Sequence, residues 1–471
     1  MRKKLLSWLL VLSMVVSMIP ATVLPVRAAE PKGTDTGGVT LGAITQRYDV
    51  SAQSEDIEIT AGGTYELTGT KDGISVIVNT ADAVVLVLRS LTLSNVRSPI
   101  QLAANANVTL VLPKGSENTL TCTSATLDAA TEAAQGAATA KTAGINVPQG
   151  ASLTIDRDAA STDYGTLTVT GGYGGAGIGG GAGVGLNDAK RGNNANKGGT
   201  GGTTAKGWKV SAPAGSAWAG TLGQGGRFGN DAESAGSITI NSGKLTVAAG
   251  SGAAGIGGGR GADGEDATAS VQTTPAGTSE NYFQKTPPAD RKNVYRATND
   301  HYYVSGAAGT GGASGANGGT GGDAGDGGTV VITGGDLSVT GSEAPGIGGG
   351  KPGAGGMASP GNNASAPGTN TYSDYLKNTQ KFEVRGSSGG RGRDGYSYAG
   401  KNGNGGSLEI KGGKLTATGT VSVGAGPVGS FTGGGGYNSG FQQKRMERAY
   451  SFTAEGSVYR SYSDGGYGAD I

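Results

Sequence analysis

One short unit recurs along this chain, and it ends each time in an apolar residue, isoleucine in three copies and valine in the fourth, followed by a glycine-rich stretch. It reads "SITINSGKLTVAAGSGAAGIGGG" up to Gly259 and "TVVITGGDLSVTGSEAPGIGGG" up to Gly350, and related copies end at Gly181 and Gly426. Each copy holds two short runs of alternating apolar and polar residues joined by a glycine-bearing turn, which is typical of β-strands. No segment of useful length beyond residue 28 has helical periodicity, so the sequence predicts an all-β fold.

The same unit extends upstream with ordinary residues in place of the glycines, in stretches such as "GISVIVNTADAVVLVLRSLTLSN" and "PIQLAANANVTLVLPKGSENTLT". Stacked coils with one apolar residue in register are what a parallel β-helix, a solenoid, requires. An antiparallel sandwich is the alternative; it explains the alternation but not the recurrence of one isoleucine. Alignment of the copies predicts a single ladder of Ile74, Ile100, Ile145, Ile178, Ile256 and Ile347.

Three long glycine-rich inserts, residues 182–235, 260–326 and 351–405, follow the recurring isoleucine at one corner of successive coils. Within them glycine returns at every third residue, the period of the polyproline II helix. The pattern predicts extended segments that stack into a glycine bundle beside the β-helix, and a disordered linker is the alternative. Four runs carry it: Gly255, Gly258, Gly261 and Gly264; Gly312, Gly315, Gly318 and Gly321; Gly386, Gly389, Gly392 and Gly395; and Gly400, Gly403 and Gly406.

One of these runs also satisfies the nucleotide-binding spacing G-x-G-x-x-G, at Gly259, Gly261 and Gly264. That motif holds a phosphate at the N-terminus of a helix that follows it, and no helical pattern follows here. The glycines therefore indicate an architectural role rather than a nucleotide site.

The chain divides into five predicted segments. A basic start, an apolar run and small residues before Ala28 predict a signal peptide, so the mature protein is expected to be secreted or extracellular, with cell-surface attachment as a further option. No later segment is apolar enough to span a membrane. The segments are a signal peptide (1–28), a flexible linker (29–44), regular β-helix coils (45–181), coils that carry the inserts (182–430) and a Tyr- and Gly-rich tail (431–471).

Composition excludes several classes of function. Lys and Arg number 37 and Asp and Glu 36, with no basic stripe, so nucleic acid is not an expected partner. The chain has one cysteine, Cys122, and one histidine, His301, which argues against an internal disulfide framework, a zinc site and Ser-His-Asp catalysis.

Aromatic residues cluster among polar ones in the middles of the inserts, in stretches such as "NDHYYV" and "NTYSDYLKN". Aromatic faces stack on the apolar faces of sugar rings, while neighbouring polar side chains reach the hydroxyls; closing small cores at the loop tips is the alternative. The sequence predicts that six rings contact a ligand and gather near one surface: Trp208, Trp218, Tyr302, Tyr303, Tyr372 and Tyr375.

Two stretches, "GGRGAD" and "GGRGRD", match the first six positions of a calcium-binding nonapeptide, and further aspartates lie in "DGED" and "GGDAGDGG". Calcium prefers several oxygen ligands, so calcium is a candidate ion here, although each copy stands alone. The candidate metal ligands are Asp263, Asp266, Asp323, Asp326 and Asp394.

Several stretches of residues 45–175, including "DIEITAGGTYELTGT", "AVVLVLRSLTLSN" and "GTLTVTGG", resemble the carbohydrate-binding β-helix domain of cell-surface proteins from clostridia and related bacteria. The "GAGIGGG" repeats resemble glycine-rich exported proteins of similar bacteria. The resemblance implies a right-handed parallel β-helix that binds polysaccharide, an acidic plant or cell-wall glycan, with calcium. Members carry Asp and Asn at coil corners where this chain has glycine-rich inserts, and no individual ligand residue is carried over.

Three functions are compatible with this sequence. The favoured one is a non-catalytic carbohydrate-binding or adhesive protein, and the second is a structural component of the cell envelope or of a biofilm. A polysaccharide lyase-like enzyme is the third, but such enzymes need carboxylates that line up on successive coils. Asp82, Asp156 and Asp336 do not share one position in the repeat, so we expect no catalysis.

Overall fold

The structure of this protein is a computed structural model, and nearly all of what it describes is β-strand or extended chain. The one helix among the described residues is a 3-10 turn, Val50–Ala52. None of the described residues forms a helix of the length and apolarity that crossing a membrane takes. The all-β prediction is confirmed. The described residues are 37–125, 139–193, 220–271, 278–282, 294–296, 302–304, 310–366, 369–373, 381–385, 389–427, 450–455 and 458–462.

Two long sheets of mostly parallel strands, one of 15 strands and one of eight, dominate the described chain. The larger sheet begins with Gln46–Asp49 and two long strands, Gly63–Asp72 and Ala83–Asn95, and then divides into two columns. The first column holds Asn107–Val111, Ser152–Asp156, Ser237–Ile240, Thr329–Ile332 and Gly406–Ile410. The second column holds Glu117–Cys122, Thr166–Thr170, Lys244–Ala248, Asp336–Thr340 and Lys414–Gly419.

The eight-stranded sheet forms a third column of short strands. From Ile100 onward the chain visits the third, first and second columns in turn and then begins again, and neighbouring copies pair in parallel. The strand order and pairing establish the three columns. Closure of the columns into a right-handed parallel β-helix stays a prediction. The third column holds Ile57–Ile59, Val76–Val78, Ile100–Leu102, Ile145–Asn146, Ile178–Gly179, Ile256–Gly257, Ile347–Gly348 and Val423–Gly424.

The isoleucine ladder runs along the third column. Five of the six predicted members pair consecutively, from Ile100 through Ile145, Ile178 and Ile256 to Ile347, and each is at most 1% exposed. The prediction that Ile74 belongs to the ladder is wrong, because Val76 is the residue that pairs with Ile100. In "GISVIV" both residues face the core, and a two-residue shift of register keeps the same face, so alternation alone cannot separate them.

Short antiparallel strands cover the last coil of the larger sheet. Tyr450–Glu455 pairs with the final strand of the second column, and Val458–Tyr462 pairs with the final strand of the first. An unpaired edge strand is a template for aggregation, so this part of the predicted tail protects the end of the sheet.

Four small sheets complete the described strands. They join Thr139–Ala140 to Ala182–Gly183, Leu186–Arg191 to Arg227–Gly229, Val294–Arg296 to Tyr302–Val304, and Thr278–Tyr282 to Thr369–Ser373 and Lys381–Arg385.

The glycine-rich segments are joined by backbone hydrogen bonds at every third residue. We call residues 180–193, 257–271 and 348–366 the outward segments, and residues 220–236, 310–328 and 389–405 the return segments. Neighbouring outward segments run parallel, with N–H groups donated from Gly261, Gly264 and Ala267 to Lys351, Ala354 and Met357 at 3.0, 2.8 and 2.8 Å. Neighbouring return segments are hydrogen-bonded in the same way. The donors are the N–H groups of Gly226, Gly229 and Ala232, and the acceptors are the carbonyls of Asn317, Thr320 and Asp323.

Outward and return segments are bonded to one another in the antiparallel sense with the same period. Gly319, Gly322 and Gly325 donate to the carbonyls of Glu265, Ala262 and Gly259 at 2.7, 2.7 and 3.0 Å. The described segments therefore form two layers, an outward layer and a return layer. A three-residue repeat leaves one side of each segment for its own layer, one for the other layer and one for solvent.

Close approach of the backbones explains the glycines. A Cβ atom on Gly319, Gly322 or Gly325 would overlap a carbonyl oxygen of the neighbouring return segment, and one on Gly318 or Gly321 would overlap a carbonyl of an outward segment. Any side chain at these positions would push two segments apart and lengthen their hydrogen bonds.

We predict that Ile256→Ala lowers the free energy of unfolding by about 2–5 kcal/mol, because it opens a cavity in a ladder position that is 0% exposed. Denaturant unfolding followed by circular dichroism measures the loss. The control is Ile77→Ala at a half-buried position of the same column, where we expect a smaller loss. Equal losses would contradict the ladder.

We predict that Gly322→Ala destabilises the protein by about 1–3 kcal/mol through overpacking, because the new methyl group meets the Asn230 carbonyl. Gly42→Ala is the matched control, since its Cβ would meet only the Thr64 side chain at 3.7 Å. Thermal unfolding compares the two, and an unchanged midpoint for Gly322→Ala would rule out the close approach.

Candidate functional site

An open cleft of about 380 Å³ lies where the first outward segment meets the second. Its lining includes the Tyr173 ring, the charged side chains of Arg227, Arg260 and Asp263, and the apolar side chains of Val184 and Leu186. We call this the corner cleft. It combines an aromatic ring, apolar side chains and fixed charged groups within one opening.

Arg260 is held in the cleft by three contacts. Its Nη2 atom donates to both carboxylate oxygens of Asp263, at 2.7 and 2.9 Å, and its guanidinium carbon lies 5.3 Å from the centre of the Tyr173 ring. The backbone N–H of Arg260 donates to the Gly174 carbonyl at 2.7 Å, which ties the outward segment to the loop that carries the tyrosine. The three groups therefore hold one another in place.

Burial acts to lower the pKa of Arg260, but the hydrogen bond and charge of Asp263 outweigh it and raise the pKa above its usual value. The guanidinium therefore stays charged in the cleft at any physiological pH.

A second ion pair fixes Arg227, which also lines the cleft. Arg227 holds the Glu265 carboxylate through its Nε and Nη2 atoms, at 3.0 and 3.2 Å, and through its backbone N–H at 2.8 Å. The side-chain hydrogen bond from Arg227 lowers the pKa of Glu265, so this carboxyl is ionised at neutral pH.

Of the residues that line the cleft, only Asp263 was predicted from the sequence to have a functional role, as a metal ligand. Tyr173 and Arg260 were missed. One signal could have found the arginine: a three-residue spacing places Arg260 and Asp263 on the same side of a segment with a period of three.

The structure places few of the six predicted ligand-binding aromatics. Trp208, Trp218 and Tyr375 lie outside the described residues. For the other three only the backbone is described. Tyr302 and Tyr303 belong to the strand Tyr302–Val304, and Tyr372 to Thr369–Ser373, in two different small sheets. A common surface of six rings stays a prediction.

The five candidate metal ligands each accept a backbone N–H group from a neighbouring segment. Asp263 accepts from Ala354 at 2.7 Å and Asp266 from Met357 at 2.6 Å; Asp323 and Asp326 accept from Lys401 and Asn404, both at 2.7 Å; and Asp394 accepts from Gly361 at 2.8 Å. Lys401 and Arg391 add ion pairs to Asp323 and Asp394.

These hydrogen bonds have a common physical cause. In a segment with a period of three, one N–H group in each turn is not used by the hydrogen bonds within and between the layers, as at Ala354 and Lys401. An aspartate on the adjacent segment supplies the acceptor, and in the return layer the arrangement continues from Asp231 to the Asp323 N–H and from Asp323 to the Lys401 N–H, at 2.8 and 2.7 Å. A spacing of three between aspartates is thus explained by backbone geometry.

The resemblance to calcium-binding proteins finds little support in this arrangement. Among the described residues, no three histidine, cysteine, aspartate or glutamate side chains come together as a metal site. The placement of these carboxylates does not fit a cage of several oxygen ligands around one calcium ion. Calcium binding by these aspartates stays a prediction.

A family model described as "Carbohydrate-binding domain-containing protein" matches residues 53–351, which includes most of the columns and the corner cleft. The chain belongs to this family. No curated protein and no solved structure matches the chain. The resemblance seen in the sequence to a carbohydrate-binding family is therefore supported by an independent comparison.

We predict that Asp323→Ala lowers the free energy of unfolding by about 1 kcal/mol, because the Lys401 N–H loses its acceptor, while Asp323→Asn keeps an oxygen there and loses less. Unfolding is measured with and without calcium chloride. Stabilisation of the wild type alone by calcium would instead favour a metal-binding role for this carboxylate.

Proposed function

We propose that this protein is an exported, non-catalytic polysaccharide-binding protein, and that the corner cleft is its binding site. The observation that carries the proposal is the fixed group of Tyr173, Arg260 and Asp263 within the region that matches a carbohydrate-binding family. The predicted leader at residues 1–28 is the basis for export, and a surface-attached, adhesive role is the corresponding cellular proposal.

The chemistry of the cleft suits a sugar. The Tyr173 ring lines the cleft, where it can contact the apolar side of a pyranose beside the guanidinium that lies over it, and the Arg260 guanidinium offers planar donors that are already oriented by Asp263. Because these groups are held before a ligand arrives, little side-chain freedom is lost on binding. An open cleft also admits an internal unit of a long chain, which an enclosed cavity would not.

We further propose that the columns close into a right-handed parallel β-helix and that the two glycine-rich layers form a polyproline II-like bundle. In-register parallel pairing along all three columns supports the first part. Hydrogen bonds at every third residue support the second. The bundle would then act as a rigid frame for the cleft.

Binding fits the cleft better than hydrolysis. A glycosidase needs one carboxyl whose pKa is raised so that it can donate a proton. At the cleft, the Asp263 carboxylate is paired with Arg260, and the hydrogen bond from Arg227 lowers the pKa of Glu265. Glu265 is therefore held in the form that cannot act as an acid, and Asp263 accepts two hydrogen bonds from Arg260.

We predict that the mature chain is retained by at least one polysaccharide on a glycan array and that Tyr173→Ala or Arg260→Ala weakens this retention about tenfold. Arg97→Ala is the control, since Arg97 forms an ion pair with Asp56 in the coils at 2.9 Å and lies outside the cleft. Far-ultraviolet circular dichroism checks that each variant is folded.

Two outcomes would contradict the proposal. If Arg97→Ala weakens retention as much as Arg260→Ala does, the cleft is not the binding site. Absence of retention by neutral and acidic polysaccharides alike would favour a structural component of the cell envelope.

A further inference from the structure

Two tyrosines stand side by side on the solvent side of the return layer, away from the corner cleft. Tyr396 and Tyr398 are 44% and 52% exposed, and their ring centres lie 5.2 Å apart at an interplanar angle of 66°. Rings that closed a small core would be buried, and these are among the most exposed large apolar side chains of the described residues.

A break in the three-residue phase brings both rings to the same side. Gly315 donates to the Arg393 carbonyl and Gly321 to the Tyr398 carbonyl, so six residues of the second return segment match five of the third. In an unbroken phase, solvent-facing positions recur every three residues, roughly 9 Å apart. Here Tyr396 and Tyr398 are two residues apart, with Ser397 buried between them at 1% exposure.

The backbone beneath the rings is fixed on both sides of the break. The Tyr396 N–H donates to the Asn317 side-chain oxygen at 3.1 Å, and the Tyr398 carbonyl accepts from Gly321 at 3.0 Å. Gly395, one residue before the pair, donates to the Ser359 carbonyl of an outward segment at 3.0 Å. The rings are therefore held on a rigid base, which reduces the entropy that a ligand contact would cost.

The surroundings of the pair are polar and carry both signs of charge. Lys401 lies on the same segment and forms an ion pair with Asp323 at 3.4 Å, and Arg393 lies five residues before Tyr398. A site for a charged polymer would present one sign of charge, whereas this surface offers stacking faces with mixed polar groups. That combination suits a neutral polysaccharide.

We propose that Tyr396 and Tyr398 form a second carbohydrate-binding surface, separate from the corner cleft, which stacks against the sugar rings of a neutral polysaccharide. This inference rests on the proposed function, since it assumes that the protein binds polysaccharide. We call the pair the tyrosine platform. It adds a contact on the return layer that a chain bound only in the cleft would not make.

The test uses affinity electrophoresis of the full mature chain in gels with and without hydroxyethyl cellulose, a soluble neutral glucan. The double variant Tyr396→Ala with Tyr398→Ala should weaken retention about tenfold, because it removes two rings that would stack on the sugars of the glucan. Tyr396→Phe with Tyr398→Phe should keep most of the retention, because the stacking faces remain. Tyr164→Ala is the matched control, since Tyr164 is also exposed, at 38%, but lies in a loop of the coils.

The outcomes separate this inference from the proposed function. If the double alanine variant is retained as strongly as the wild type while Arg260→Ala loses retention, the tyrosine platform is overturned and the cleft remains the binding site. Failure of the wild type to bind any polysaccharide would overturn both. If the wild type self-associates, and the double alanine variant abolishes that self-association but leaves glucan retention unchanged, the tyrosine platform is a contact between copies of the chain, and the inference is overturned.

Discussion

The close approach of backbones in the glycine-rich layers is the constraint on which the rest of this structure depends. Hydrogen bonds at every third residue, such as those from Gly319 and Gly322 to the second outward segment, form only where no Cβ atom intervenes. With that spacing, each segment turns one side to its own layer, one to the other layer and one to solvent. Within the layers, side chains that contact a ligand are therefore expected on the third side, where Tyr396 and Tyr398 lie, whereas the cleft also draws on Tyr173 from a neighbouring loop.

Much of the fold was predictable because it repeats. The isoleucine ladder follows from one residue type in one register, and the structure confirms it from Ile100 to Ile347. The error at Ile74 has a definite physical source: alternation fixes the face of a residue, but only pairing partners fix its position along the strand. Val76 and Ile74 are both buried, so burial could not have distinguished them either.

The candidate sites were harder to predict because they depend on contacts between distant segments. Arg260 pairs with Asp263 nearby, yet its place beside Tyr173 depends on how a loop packs against an outward segment. Asp263 and Asp394 were assigned to calcium because they end stretches that match a known motif, and the other aspartates because "DGED" and "GGDAGDGG" add carboxylates nearby. A spacing of three between aspartates follows from the N–H groups of the adjacent segment that the layers leave unused, which no local pattern reveals.

The cleft and the platform both arise where the regular layers are interrupted. The cleft opens where the first outward segment turns from the layer into the strand Leu186–Arg191, and the platform follows the lost residue between Arg393 and Tyr398. Two separate contacts on one rigid frame can bind one long chain with higher avidity than either contact alone, provided that the chain reaches both. Regular glycine packing thus supplies the rigidity, and its interruptions supply the recognition.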